Sequence, residues 1–129
     1  MDRQDIKVLL IDDVQAVRIE VAKLLSSAGF NNVTVAESGV TAQKLIQDTT
    51  FQLILCDWHM APIDGLGVLQ SVREASFDTL FIMLTAEDAK DNVIEAITNG
   101  IDDYIIKPLT LENLTSRFEK LLKKKKVLV

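Results

Sequence analysis

What most restricts the fold of this chain is the alternation, from end to end, of short continuous apolar runs with apolar positions spaced for helices. Lys7-Val8-Leu9-Leu10-Ile11 is followed by a stripe of Val14, Val17, Val21, Leu24, Leu25 and Ala28, closed by Gly29 as a cap. Asn32 to Ala36 reads as a second strand, and Ser38 as the N-cap of a helix turning Ala42, Leu45 and Ile46 inward. Gln52 to Cys56 is a third strand, joined by an irregular loop from Trp58 to Asp64 to a helix carrying Leu66, Leu69 and Val72. Leu80 to Leu84 precedes a fourth helix running from about Asp88 to Asn99, with Gly100 after it. Asp103 to Ile106 makes the last strand. The final helix begins near Thr110 and points Leu111, Leu114, Phe118, Leu121 and Leu122 at the core.

Strands that are apolar throughout, separated by amphipathic helices, predict a parallel sheet covered on both faces. Right-handed crossovers then give a doubly wound α/β domain, a three-layer (βα)5 sandwich over residues 1–129 with no linker or repeat inside it. The chain is long enough to bury a core without staples. Its one cysteine, Cys56, excludes an intrachain disulfide and sits in an apolar run, so it reads as a buried, inert thiol. The net charge of −5 argues against direct nucleic-acid binding, which leans on basic side chains. Lys123 to Lys126 read as solvating the last helix and complementing its dipole. Neither a signal-peptide pattern nor a membrane-length apolar stretch is present, and the expected compartment is the cytoplasm.

In such a sheet the ligand site lies beyond the carboxyl ends of the strands. Strand one ends in Asp12-Asp13, strand three in Asp57, strand four in Thr85 and strand five in Lys107. With strand order 2-1-3-4-5, strands one and three are neighbours about 5 Å apart, so three carboxylates meet at one mouth. Alone they would repel and desolvate one another. A hard divalent cation resolves the conflict, and Mg²⁺ fits, because it takes oxygen ligands from a few carboxylates together with phosphate oxygens. Thr85 and Lys107 add a hydroxyl donor and a positive charge suited to an anion. Together these groups describe a phosphoryl site in which a carboxylate can be the nucleophile.

Four segments carry a resemblance across essentially the whole chain. They are Leu10-Ile11-Asp12-Asp13, Asp57-Trp58-His59-Met60 with Asp64-Gly65, Leu84-Thr85-Ala86-Glu87, and Tyr104-Ile105-Ile106-Lys107-Pro108. The sequence resembles the receiver domains of two-component response regulators, most closely the stand-alone chemotaxis members. The resemblance implies a flavodoxin-like fold with Asp57 as phosphoacceptor. Asp13 and Asp57 would bind Mg²⁺ directly, Asp12 largely through water, and the main-chain carbonyl of His59 would complete the protein's share. Thr85 and Lys107 would hold the phosphoryl group, Lys107-Pro108 would be a cis peptide, and Thr85 with Tyr104 would form the switch. Two departures stand out: the proline expected four residues after the phosphoacceptor is displaced to Pro62, and position 59 is histidine, the only one in the chain. His59 and Glu87, each two residues past a site residue, are expected to modulate the rate of dephosphorylation.

The implied function is a phosphorylation-activated switch. It takes its phosphoryl group from a sensor histidine kinase, promotes its own phosphorylation and hydrolysis, and turns over no external metabolite. The face made by the fourth helix, fifth strand and fifth helix, with Lys90, Ile94, Ile106 and Arg117, would control a downstream target protein, with no membrane or nucleic-acid partner. A monomer is expected, with dimerisation on phosphorylation the alternative. The chain reads as a stand-alone switch, with a receiver cut from a longer regulator as the other reading. A Mg²⁺-dependent aspartyl phosphatase would place its acids in an Asp-x-Asp spacing after strand one and carry a cap domain. An FMN carrier would need a Ser/Thr/Gly-rich loop where Asp12-Asp13-Val14-Gln15 stands.

Overall fold

Successive residues of a strand point to opposite faces of its sheet, and here each face finds its own helices. The computed structural model describes residues 2–76, 78–85 and 90–125, with the backbone alone for 90–93. Its strands are β1 (Val8–Ile11), β2 (Val33–Ala36), β3 (Leu53–Asp57), β4 (Leu80–Thr85) and β5 (Asp103–Ile106). The helices between and after them are α1 (Gln15–Ser27), α2 (Gly39–Asp48), α3 (Gly65–Ala75), α4 (Lys90–Thr98) and α5 (Leu111–Lys124). The sheet is wholly parallel, in the order β2-β1-β3-β4-β5. Val8, Leu10, Leu53, Leu55, Ile82 and Leu84 pack against Val21 and Leu25 of α1 and Leu114, Phe118 and Leu122 of α5. Leu9, Ile11, Ile54, Cys56, Phe81 and Met83 turn the other way, onto Ala42 and Ile46 of α2, Val68, Leu69 and Val72 of α3 and Ala96 of α4. This is the doubly wound, three-layer, flavodoxin-like arrangement expected from the pattern. Among the described residues no helix is long and apolar enough to cross a membrane.

The expected start signals hold. Ser38 and Thr110 accept hydrogen bonds from the main-chain N–H groups of Thr41 and Asn113 at the openings of α2 and α5. Asp64 does the same for α3 through Gly67 N–H. Gly29 and Gly100, at φ 93° and 98°, occupy the left-handed region where a side chain would be strained. Two expected core positions are corrected: Val14 and Leu111 are exposed. Val14 is the N-cap of α1 and Leu111 the first residue of α5, so both precede the turn at which their helix comes over the sheet. The proposed start of the fourth helix at Asp88 lies outside the described residues. Strands three and four each run one residue further than expected, so Asp57 pairs with Leu84, and Thr85 with Ile106, inside the ladder.

Arg73 moors the turn after α4. Arg73, near the end of α3, donates to the carbonyl oxygens of Thr79 (2.6 Å) and Gly100 (2.9 Å) and to Asp102 Oδ2 (2.9 Å). Asp102 Oδ2 also accepts from Phe81 N–H at 2.8 Å, which fixes the turn between α4 and β5 to the sheet. Elsewhere α4 shows solvent its Ile94 and Ile97, and Ala96 is the buried side chain among those described on it.

Candidate functional site

The carboxyl ends of β1, β3, β4 and β5 form one mouth, and the ladder sets who meets there. Ile11 is paired with Cys56, so the residues that follow, Asp12 and Asp57, emerge side by side. Carboxylate oxygens of Asp12, Asp13 and Asp57 all lie within 4.8 Å of one another. Lys107 reaches in from the end of β5, its Nζ 2.9 Å from Asp57 Oδ1 and 3.1 Å from Asp12 Oδ2. The Lys107–Pro108 peptide is cis, as is Ala61–Pro62 in the loop after β3. Lys107 N–H donates to the Thr85 carbonyl at 2.9 Å, which ties the lysine's backbone to the end of β4. Gly65 lets α3 close on the site. A Cβ there would stand 2.9 Å from the Asp57 carbonyl oxygen and 2.6 Å from Met83 Sδ.

Burial makes the charges count. Asp12 is 0% exposed and Asp57 7%. Asp12 Oδ1 accepts from Val14 N–H at 2.9 Å, so both of its oxygens are held. Burial pushes the Asp57 carboxyl up; the Lys107 hydrogen bond and charge pull it down, Asp12 and Asp13 push it up again, and it ends above the ordinary carboxylate range. Burial draws the Lys107 ammonium down, but hydrogen bonds and charge from Asp57 and Asp12 outweigh this, so it stays protonated. Burial raises the Cys56 thiol far above its usual range, and its Sγ lies 3.2 Å from the Asp57 carbonyl oxygen. The thiol is buried and favoured in its protonated form, in keeping with its place in an apolar run.

The other expected residues are placed as follows. Thr85 is buried at the end of β4. Tyr104 is half-buried on β5 beneath Arg117, whose guanidinium stands 5.9 Å from the ring centroid and donates to Asp103 Oδ1 and the Tyr104 carbonyl. Ile94 on α4 and Ile106 on β5 are 65% and 45% exposed. His59 is exposed, its ring stacked 6.2 Å from that of Trp58, and Trp58 is itself buried in the core beneath the loop. Glu87 and the Lys90 side chain lie outside the described residues.

One residue at the mouth escaped the sequence reading. Arg18, on the first turn of α1, donates from Nη1 to the Asp12 carbonyl oxygen at 2.8 Å. Its charge also helps, after the hydrogen bond from Thr41, to lower the Glu37 carboxyl on the loop following β2. A cation near a helix N-terminus opposes the helix dipole, and that unfavourable placement is the signal by which it could have been noticed.

The comparisons agree with this geometry. Residues 8–119 match the family model of the response regulator receiver domain. The chemotaxis protein CheY-3 of Vibrio cholerae is 32% identical over 123 residues, covering 94% of this chain and 95% of that protein. The chemotaxis protein CheY of Pseudomonas aeruginosa is 32% identical over 120 residues, covering 92% and 97%. Among solved structures, a response regulator receiver domain protein from Clostridium thermocellum superposes with a TM-score of 0.86 at 25% identity, covering 96% of this chain and 99% of that one. The receiver domain of the Francisella response regulator 1452 gives 0.74 at 32% identity, covering 93% and 98%.

Proposed function

The chain belongs to the response regulator receiver domain family, whose members are signalling switches, and on that premise we propose that residues 1–129 act as one phosphorylation-driven receiver with Asp57 as the acceptor. One observation carries the reading: three clustered carboxylates face a single ammonium, with Lys107 Nζ 2.9 Å from Asp57 Oδ1. The three carboxylates and the ammonium that contacts two of them sum to −2, the charge that one divalent cation balances. The donors are hard carboxylate oxygens, and no thiol or imidazole among the described residues enters the cluster, so the residues present fit Mg²⁺ better than a softer metal.

In this reading Asp12, Asp13 and Asp57, with the main-chain carbonyl of His59, would hold the ion. The ion, when bound, supplies positive charge to the oxygens of the incoming phosphoryl group. A carboxylate oxygen of Asp57 attacks phosphorus, the bond from phosphorus to the imidazole nitrogen of a phosphorylated sensor kinase breaks, and the electron pair returns to that nitrogen. Lys107, freed from its contact with Asp57, pairs with a phosphoryl oxygen, and Thr85 donates its hydroxyl to another. Drawing Thr85 toward the new charge shifts a two-state equilibrium in which Tyr104 turns inward from its place beneath Arg117 and alters the α4–β5–α5 face. That face, with exposed Ile94 and Ile106, docks the downstream target; control of chemotaxis is the output brought by the curated relatives. His59 and Glu87 modulate the rate at which the acyl phosphate is hydrolysed. Phosphorylation by acetyl phosphate with Mg²⁺, followed by intact mass, tests the assignment: Asp57→Asn should take up no phosphoryl group. Labelling of Asp57→Asn equal to the unmodified chain would refute it.

A further inference from the structure

We infer that Arg18 is a positioning residue for the cation site, presetting Asp13 through the peptide that links it to Asp12. The inference rests on the reading of the acidic cluster as that site. The Asp12 oxygen that accepts from Arg18 Nη1, at 2.8 Å, belongs to the same peptide plane as the Asp13 N–H. The hydrogen bond therefore fixes the last backbone rotation before Asp13. Asp12 needs little further help, since Val14 N–H and Lys107 Nζ already hold its two carboxylate oxygens. Asp13 is the opposite case. Its side chain is exposed and accepts no hydrogen bond from the described residues, so the direction of its Cα–Cβ bond, set by the backbone, is the constraint that aims it at the cluster, and its side-chain rotations are left for the ion to settle.

The two cations at this mouth work in opposite ways. Lys107 sits on the ligand oxygens themselves, 2.9 and 3.1 Å away, and a metal must share or displace it. Arg18 sits on a carbonyl and leaves every carboxylate oxygen open. Its hydrogen bond spans from α1 back to the end of β1, and its charge is felt by Glu37 on the loop after β2. Charge alone would make Arg18 repel a divalent ion, so its removal should tighten metal binding. Positioning makes the reverse prediction, because groups that orient metal ligands typically carry tenfold or more in affinity.

The experiment measures Mg²⁺ dissociation constants on the whole chain, from the fluorescence of Trp58, its only tryptophan, checked against Mn²⁺ by electron paramagnetic resonance. The expected result is binding about tenfold weaker in Arg18→Met, with most of the loss recovered in Arg18→Lys, which keeps a donor on a stem of similar length. Affinity in Arg18→Met equal to or tighter than in the unmodified chain would overturn the inference. So would an equal loss in both variants, since disturbed helix packing would then be the cause. If Arg18→Met does not fold, Arg18→Leu, which also lacks a donor, replaces it in the same comparison. If the unmodified chain binds neither ion, the reading of the cluster fails and this inference falls with it. If it binds Mg²⁺ and Arg18 proves indifferent, only the inference fails.

Discussion

Replacing Lys107 by methionine removes the ammonium while keeping most of the stem, and leaves Asp57 and Asp12 buried without their cation. Loss of one partner from a fully buried pair costs about 3–5 kcal/mol, and from an exposed pair about 0–1 kcal/mol. Here the acids are buried but the lysine side chain is 27% exposed, so an intermediate cost of about 2 kcal/mol at pH 7.5 is expected. In urea that is a drop of about 1 M in the unfolding midpoint. The loss should depend on pH with a definite sign. The folded pKa of Asp57 already lies above its ordinary value, with Lys107 restraining it. A raised carboxyl favours the folded state at pH values below its unfolded pKa, near 4, and that contribution is lost as pH rises through the folded value. Without Lys107 the folded value climbs further, so the deficit is complete at pH 7.5 and shrinks toward pH 5. Freed carboxylate oxygens should also bind Mg²⁺ more tightly. The ion at ten times its dissociation constant would then restore about 1.4 kcal/mol. Urea unfolding at both pH values, with and without Mg²⁺, decides the matter. A pH-independent loss, or weaker Mg²⁺ binding in Lys107→Met, would refute the reasoning.

Two further outcomes are expected. His59→Asn should change the rate of phosphate release severalfold while acetyl phosphate still labels Asp57; equal release rates would remove His59 from the hydrolysis step. Phe118, buried and edge-on to Phe30 with ring centroids 5.5 Å apart, should cost about 3–5 kcal/mol on replacement by alanine, read by urea unfolding without loss of phosphorylation in the folded fraction.

The mouth was legible because a parallel sheet converts positions along the chain into a place in space. Once the apolar runs are recognised as strands, the residue after each run must stand at one edge, and Asp12, Asp13, Asp57, Thr85 and Lys107 follow from counting. Contacts that depend on long side chains finding main-chain acceptors left no such trace. Arg73 reaches Gly100 and Asp102 across 27 and 29 residues, and Arg18 meets a carbonyl that any residue at position 12 would offer. The burial of the first apolar positions of α1 and α5 was not legible for a related reason: periodicity says which face is apolar, but not where along the axis the sheet begins to cover it. Val14 and Leu111 lie before that point.

The mooring of α4 has a mechanical consequence. A rod held firmly near one end yields most cheaply by swinging about that hold, and Arg73 with Asp102 holds the turn after α4 beside Gly100. Gly100 is thus a fulcrum and α4 a lever of nine residues, about 13 Å long. A tilt of about 10° at the fulcrum carries the far end about 2 Å, with little travel at Gly100 itself. The opposite end is the one nearer in the chain to β4 and its terminal Thr85, so a small adjustment beside Asp57 would be delivered where the lever is longest. Severing Arg73 would turn the lever into a loose rod, and the gain would be lost even with the mouth unchanged.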